Sequence, residues 1–274
     1  MAFKQAIGFG VAGNFAGHLE QAGEAADFKQ VEVQEAHQPK AIFPFYVPHF
    51  DGNFLSVYPL SADTLRFPQD ADNLQIEPEV AIVCDIEYDQ HKQVTALYPK
   101  LFGAYNDCSI RRPNAAKIAD KKNWGEQTKG LSATLIPLDG FAPGCNLDQY
   151  RIACFHQRGE QFNIYGIDSS TVGYSYFHQK LLDWIVDRMN NQPDQGPMHP
   201  IASLLEKANY PQQAVISIGA TRYTDFGETH FLQPGDVSMV VVYNATKHSA
   251  DEIIVMAKQQ QFEGDLSALV QKVI

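Results

Sequence analysis

The sequence predicts an α+β fold that is rich in β-structure. Three observations carry this. From residue 79 onward, short apolar runs recur at strand spacing, with Gly, Pro and Asp-Gly between them. Few segments carry the 3.6-residue apolar period of an amphipathic helix. Strands and helices also fail to alternate as they do in repeated βαβ units.

In chain order, Ala6-Ile7-Gly8-Phe9-Gly10 reads as a first strand. Asn14 is expected to cap a short helix over 15–22, which Gly23 would end. Residues 37–78 are rich in Pro and aromatic residues, as in Phe43-Pro44-Phe45-Tyr46-Val47-Pro48, and read as extended chain with short strands. Asp51-Gly52-Asn53 marks a tight turn. Strands are then expected at 79–87, 92–97, 101–107, 131–138, 150–156, 161–167, 214–219 and 237–243. One helix is expected from Tyr176 to Met189, with Leu181, Leu182, Trp184, Ile185 and Met189 as its apolar stripe. A shorter one is expected over 200–208, and another from Asp265 to Val273.

The 274 residues are 45% hydrophobic and 19% charged, enough for a sizeable core. A net charge of −11 argues against a nucleic-acid surface and fits a small ligand. An anionic ligand would then need local cations or a metal. Cys84, Cys108, Cys145 and Cys154 form no CxxC pair, so neither a zinc ribbon nor a disulfide framework is expected. No run reaches the roughly 18 apolar residues of a membrane span, and the N-terminus lacks an apolar leader segment. A cytoplasmic enzyme or binding protein, without membrane or nucleic-acid partners, is the expectation.

Glu77-Pro78-Glu79 opens the most apolar strand, Val80-Ala81-Ile82-Val83-Cys84. Alternate side chains share a face, so both carboxylates project together and call for something positive between them. A divalent metal is the simplest candidate; a solvated pair of acids is the competing reading. Asp107 ends another apolar strand and would complete a three-carboxylate oxygen site suited to Mg²⁺, Mn²⁺ or Ca²⁺ rather than zinc. Arg111 and Lys129 would supply positive charge to an anionic ligand. Separately, Gly8-Phe9-Gly10-Val11-Ala12-Gly13 matches G-x-G-x-x-G, with Glu32 about 20 residues on, as in a dinucleotide fingerprint. The other reading of these glycines is close backbone packing.

In order, these segments resemble the fumarylacetoacetate hydrolase family. Its G-R-N-Y-x-x-H-x-x-E pattern is matched by Gly13-Asn14-Phe15-Ala16-Gly17-His18, and its E-x-E-L-A-V-V strand by Glu77-Pro78-Glu79-Val80-Ala81-Ile82-Val83. Its D-x-S-A-R-D segment corresponds to Asp107-Cys108-Ser109-Ile110-Arg111-Arg112. Trp124 and Lys129 follow, then Ile218-Gly219-Ala220-Thr221 and Leu232-Gln233-Pro234-Gly235-Asp236. The resemblance implies a mixed β-sheet roll with a few peripheral helices, in a homodimer. It implies one catalytic domain over 1–274: a lid and strand–helix segment at 1–60, a β-roll core at 61–243 and a C-terminal extension at 244–274. It also implies a divalent ion on Glu77, Glu79 and Asp107, with Lys129 beside the bound substrate. Asn14, Arg111 and Thr221 take substrate-binding positions. Departures from the pattern are Gly13 for Arg, Gln21 for the Glu that pairs with the helix His, Arg112 for the second acid, and Ala220 for Thr.

The leading expectation is an enzyme acting on a small 2-oxo acid or diketo acid through a metal-stabilised enolate. The outcome would be C–C hydrolysis, decarboxylation, or tautomerisation or hydration. His18 would transfer the proton, Lys129 would stabilise negative charge, and Gln21 would replace the acid of the His–Glu pair. That replacement favours chemistry needing less strongly activated water. The alternatives are a non-catalytic binding protein of the same fold and an NAD-dependent oxidoreductase built on Gly8, Gly10 and Gly13.

Overall fold

A computed structural model describes residues 3–25, 28, 35, 37–112 and 115–274. The chain begins with β1 (Ile7–Ala12), α1 (His18–Gln21) and β2 (Ala41–Tyr46). β1 and β2 pair antiparallel and are buried along their whole length. Gly8 and Gly10 lie inside β1, where a Cβ would come within 2.2 Å of the Phe45 and Phe43 rings respectively. They are packing glycines under aromatic side chains, not the turn of a phosphate-binding loop, and this corrects the dinucleotide alternative. Glu32, its expected acid, lies outside the described residues.

α1 is shorter than expected and starts after Gly17, at φ 84°. Asn14 does not cap it. Its buried amide donates to the carbonyls of Tyr176 (2.9 Å) and Ile218 (2.8 Å) and accepts from the Tyr176 N–H (2.8 Å). These bonds spend both ends of the amide on the backbone and remove Asn14 from the substrate-binding set.

The extended stretch holds β3 (Leu60–Ser61), β4 (Thr64–Leu65) and β5 (Leu74–Gln75). β6 (Pro78–Tyr88) and β7 (Val94–Asn106) form a long hairpin. β7 merges two expected strands; Pro99, which cannot donate to the ladder, sits where the register shifts opposite Cys84. After β8 (Ser109–Ile110), the strand expected at 131–138 is split into β9 (Lys129–Leu131) and β10 (Ile136–Pro137). At the break the Ser132 hydroxyl accepts from the Thr134 N–H (3.1 Å), a local bond that competes with the ladder.

Next come β11 (Tyr150–Arg158), β12 (Gln161–Ser170), α2 (His178–Asn191), α3 (Ile201–Lys207) and β13 (Gln213–Ser217). The chain ends with α4 (Asp225–Thr229), β14 (Val237–Asn244), α5 (Ala250–Gln259) and β15 (Leu266–Val273). The C-terminal segment expected as a helix is therefore a strand. Its Leu266, Leu269, Val270 and Val273 mimic helical spacing, while Ser267 and Gln271, polar yet buried, hide the strand alternation. α5 went unread, although Ser249 and Glu252 form a capping box at its start.

Two main sheets result. One runs β2-β1-β13-β6-β7-β9-β3 with β10 beside β7, the other β12-β11-β14-β15-β4, and β5 pairs with β8. β1–β13, β3–β9 and β4–β15 are parallel and the other pairs antiparallel, so the sheets are mixed. One core spans both sheets, through Ile82 and Phe102 on one side and Val240, Val242 and Leu269 on the other. α2 adds Leu181, Trp184 and Ile185 to it. Residues 244–274 supply β15, which pairs with both β14 and β4.

Candidate metal centre

The β6–β7 register brings the three acids together. Pro78 lies opposite Asn106 and Glu79 opposite Tyr105. One step further the Asp107 N–H donates to the Glu77 carbonyl (3.0 Å). Asp107 thus faces Glu77, and Glu79 shares their face by the pleat. One carboxylate oxygen from each residue lies within 4.8 Å of the others, and all three residues are buried. Asn106 fixes the corner: its carbonyl oxygen accepts from the N–H groups of Glu77 (3.1 Å) and Cys108 (3.0 Å). Its amide donates to Ser238 (3.2 Å) and Gln271 (3.1 Å) on the second sheet.

Cations line the acids. Arg111 Nη1 lies 2.7 Å from Glu77 and 2.8 Å from Glu24. The same guanidinium donates to Gln75 (2.6 Å) and to the Tyr223 hydroxyl (2.8 Å). Arg111 therefore braces the acids from behind, which corrects its expected role as a substrate ligand. Lys122 Nζ lies 2.7 Å from Glu77 Oε2 and 2.5 Å from Asp107 Oδ2. Lys129 is fully buried; its ammonium donates to the carbonyls of Asp107 (2.9 Å) and Cys108 and lies 3.8 Å from Asp107 Oδ1.

These environments separate the acids. Burial pushes Glu79 well above the usual carboxylate range, with Asp107 and Glu77 adding repulsion. Burial also raises Asp107, to about 6, against the pull of Lys122 and Lys129. Glu77 is equally buried, but Lys122 and Arg111 outweigh burial and hold it low. Burial lowers Lys129 to about 8, although Asp107 opposes the shift.

Across the pocket, His18 Nδ1 lies 2.9 Å from the Thr221 carbonyl oxygen. A carbonyl only accepts, so Nδ1 carries the proton and Nε2 keeps its lone pair. Burial lowers the His18 pKa, which favours the neutral ring. Gln21 is not the partner of His18. Its amide donates to the Tyr223 carbonyl (3.2 Å) and its carbonyl accepts from the Tyr223 N–H (2.9 Å), a two-way clasp on the backbone. The buried Thr221 hydroxyl oxygen has no hydrogen-bond partner. His18, Glu24, Glu77, Glu79, Lys122 and Ala220 line a pocket with about 20 Å³ of free space, room for one ion or water.

The donor set suits a hard divalent cation: three buried carboxylates, with neither Asp107 oxygen accepting a hydrogen bond of good geometry. Sequence reasoning missed Glu24 and Lys122, which reach the site from loops. The Lys121-Lys122 doublet between Asp107 and Lys129 was the available signal.

The fold is that of the fumarylacetoacetate hydrolase class, as the resemblance implied. A 2-keto-3-deoxy-D-arabinonate dehydratase complexed with magnesium and 2,5-dioxopentanoate superposes with TM-score 0.53 at 12% identity, over 97% of this chain and 72% of the other. A 5-carboxymethyl-2-hydroxymuconate delta-isomerase from Mycobacterium smegmatis gives 0.52 at 14%, over 98% and 78%. A protein assigned to the fumarylacetoacetate hydrolase family, from Yersinia pestis CO92, gives 0.51 at 12%, over 100% and 95%. By sequence, the chain belongs to a family of unknown function, DUF5718, whose model matches residues 24–273. No curated protein matches it.

Proposed function

We propose that the protein is a divalent-cation-dependent enzyme acting on a small 2-oxo acid or diketo acid. The carrying observation is the buried Glu77–Glu79–Asp107 group, of which Glu77 and Glu79 line one pocket together with a neutral, oriented His18. Mg²⁺ is the favoured ion, with Mn²⁺ or Ca²⁺ as substitutes, because every donor is a carboxylate oxygen. When bound, such an ion supplies Lewis acidity toward a carbonyl oxygen of the substrate. The magnesium-bound dehydratase and the isomerase among the structural neighbours support this reading.

His18 takes or returns a proton at Nε2, while the Thr221 carbonyl holds Nδ1–H. Lys129 keeps positive charge beside Asp107, and the Thr221 hydroxyl offers a hydrogen bond to the ligand. A carbonyl partner stabilises an imidazolium less than a carboxylate does. Proton transfer at carbon, dehydration or decarboxylation therefore fits this site better than attack by an activated water. Glu79→Ala and Asp107→Ala should each abolish Mn²⁺ binding in calorimetry while keeping the native circular dichroism spectrum. Wild-type affinity in both variants would overturn the proposal; Mn²⁺ binding without turnover of any oxo acid would favour a non-catalytic binding protein.

A further inference from the structure

Lys122 has no counterpart in the motifs of the sequence, yet its ammonium contacts two of the three acids. It donates a charge-assisted hydrogen bond to Glu77 Oε2 (2.7 Å) and forms an ion pair with Asp107 Oδ2 (2.5 Å). Both residues belong to the group that would hold a metal. A divalent ion sits about 2.0–2.6 Å from its oxygen ligands. An ion using these two oxygens would be a close, like-charged neighbour of the ammonium, with little water between to screen them.

The backbone around Lys122 is anchored. Its own N–H donates to Ala119 (3.0 Å), and the Asn123 amide donates to the carbonyls of Phe45 (2.8 Å) and Val57 (3.0 Å). The side chain is buried: Nζ stands 5.0 Å from the Phe43 ring centroid, and Lys122 lines the pocket shared with His18 and Glu24. Glu24 is an acid on the same pocket toward which a displaced ammonium can turn.

We infer that Lys122 is a tethered counter-ion of the carboxylate site. It neutralises Glu77 and Asp107 in the cation-free protein and is displaced when a divalent ion binds. The inference rests on the metal-centre reading above. Lys122 thereby sets the affinity of the site: the ion must replace an attached charge, not fill an open one. The tether also explains how closely spaced buried carboxylates stay folded before the ion arrives.

Mn²⁺ titration of the full chain by calorimetry at constant pH tests this. Lys122→Met keeps an unbranched apolar side chain and removes the charge; it should bind Mn²⁺ about tenfold or more tighter than wild type. Lys122→Gln, which removes the charge but keeps a polar end, should shift affinity in the same direction and covers the case where the methionine variant does not fold. A crystal structure of the wild-type protein with Mn²⁺ should show Nζ withdrawn from both carboxylates. Equal or weaker Mn²⁺ binding by the folded variants, or Nζ still bridging the acids beside the bound ion, overturns the inference alone. Absence of Mn²⁺ binding in wild type and variants alike overturns the metal-centre reading with it.

Discussion

At the scale of residues, this site replaces side-chain acids with main-chain carbonyls. His18 leans on the Thr221 carbonyl, and Gln21 clasps Tyr223 with both ends of its amide. Gln21→Glu should therefore not restore a His–acid pair. It would set a carboxylate against the Tyr223 carbonyl, and urea unfolding should show a loss of about 1–3 kcal/mol. Glu24 gives a pH test. Burial alone would raise its pKa, but Arg111, Lys122 and Lys121 hold it at about 2, below its ordinary 4.5. A depressed carboxylate pKa adds stability that is complete above about 4.5 and fades as pH falls toward 2. Glu24→Gln should flatten the acid limb of the melting temperature against pH across that window. A limb as steep as that of wild type would exclude Glu24 as its source. Glu77 and Glu79 were legible because a strand's period of two needs no tertiary knowledge, and Asp107 because it ends another apolar strand, a reading its place in the family pattern reinforced. Lys122 and Glu24 were not, because their loops meet the acids only after the sheets have formed.

At the scale of elements, the strands read best where burial follows hydrophobicity. β6, with its unbroken apolar run, was found almost entire. β15 was misread because its inward positions Ser267 and Gln271 carry hydrogen bonds: Ser267 accepts from Ala104 N–H (2.9 Å) and Gln271 from Asn106 (3.1 Å). Polar residues that serve as ties between sheets look like solvent-facing residues in a sequence. Gly8 gives the opposite case, a backbone position specified by what lies above it. A methyl group there would run into the Phe45 ring, which is itself buried between neighbours. Gly8→Ala should cost about 1–3 kcal/mol in thermal unfolding, whether or not NAD is present. Stabilisation of the wild-type protein by NAD would contradict the packing role assigned to these glycines.

At the scale of the molecule, the second sheet backs the site through Asn106, while α1 covers it from the N-terminal side. His18 and Leu19 of α1 line the pocket beside Glu77 and Glu79, so a ligand there meets this segment directly. Hydrogen exchange at 14–23 should slow when oxalate and Mg²⁺ are added together, and change little with oxalate alone. Equal protection by oxalate alone would separate ligand binding from the metal. A ligand at 100 times its Kd should also raise stability by about 2.7 kcal/mol. The β6–β7 hairpin, finally, has a consequence for how this chain can vary in length. The acids stand at its open end, whereas its turn, between Tyr88 and Val94, stands at the far end. Residues gained or lost at that turn leave the Glu77–Asp107 pairing untouched. A single residue lost between Glu79 and Val83 would swing both Glu77 and Glu79 to the opposite face of the sheet. The hairpin works as a vernier with one end clamped: insertions and deletions can accumulate at the tip, while the ligand end permits none.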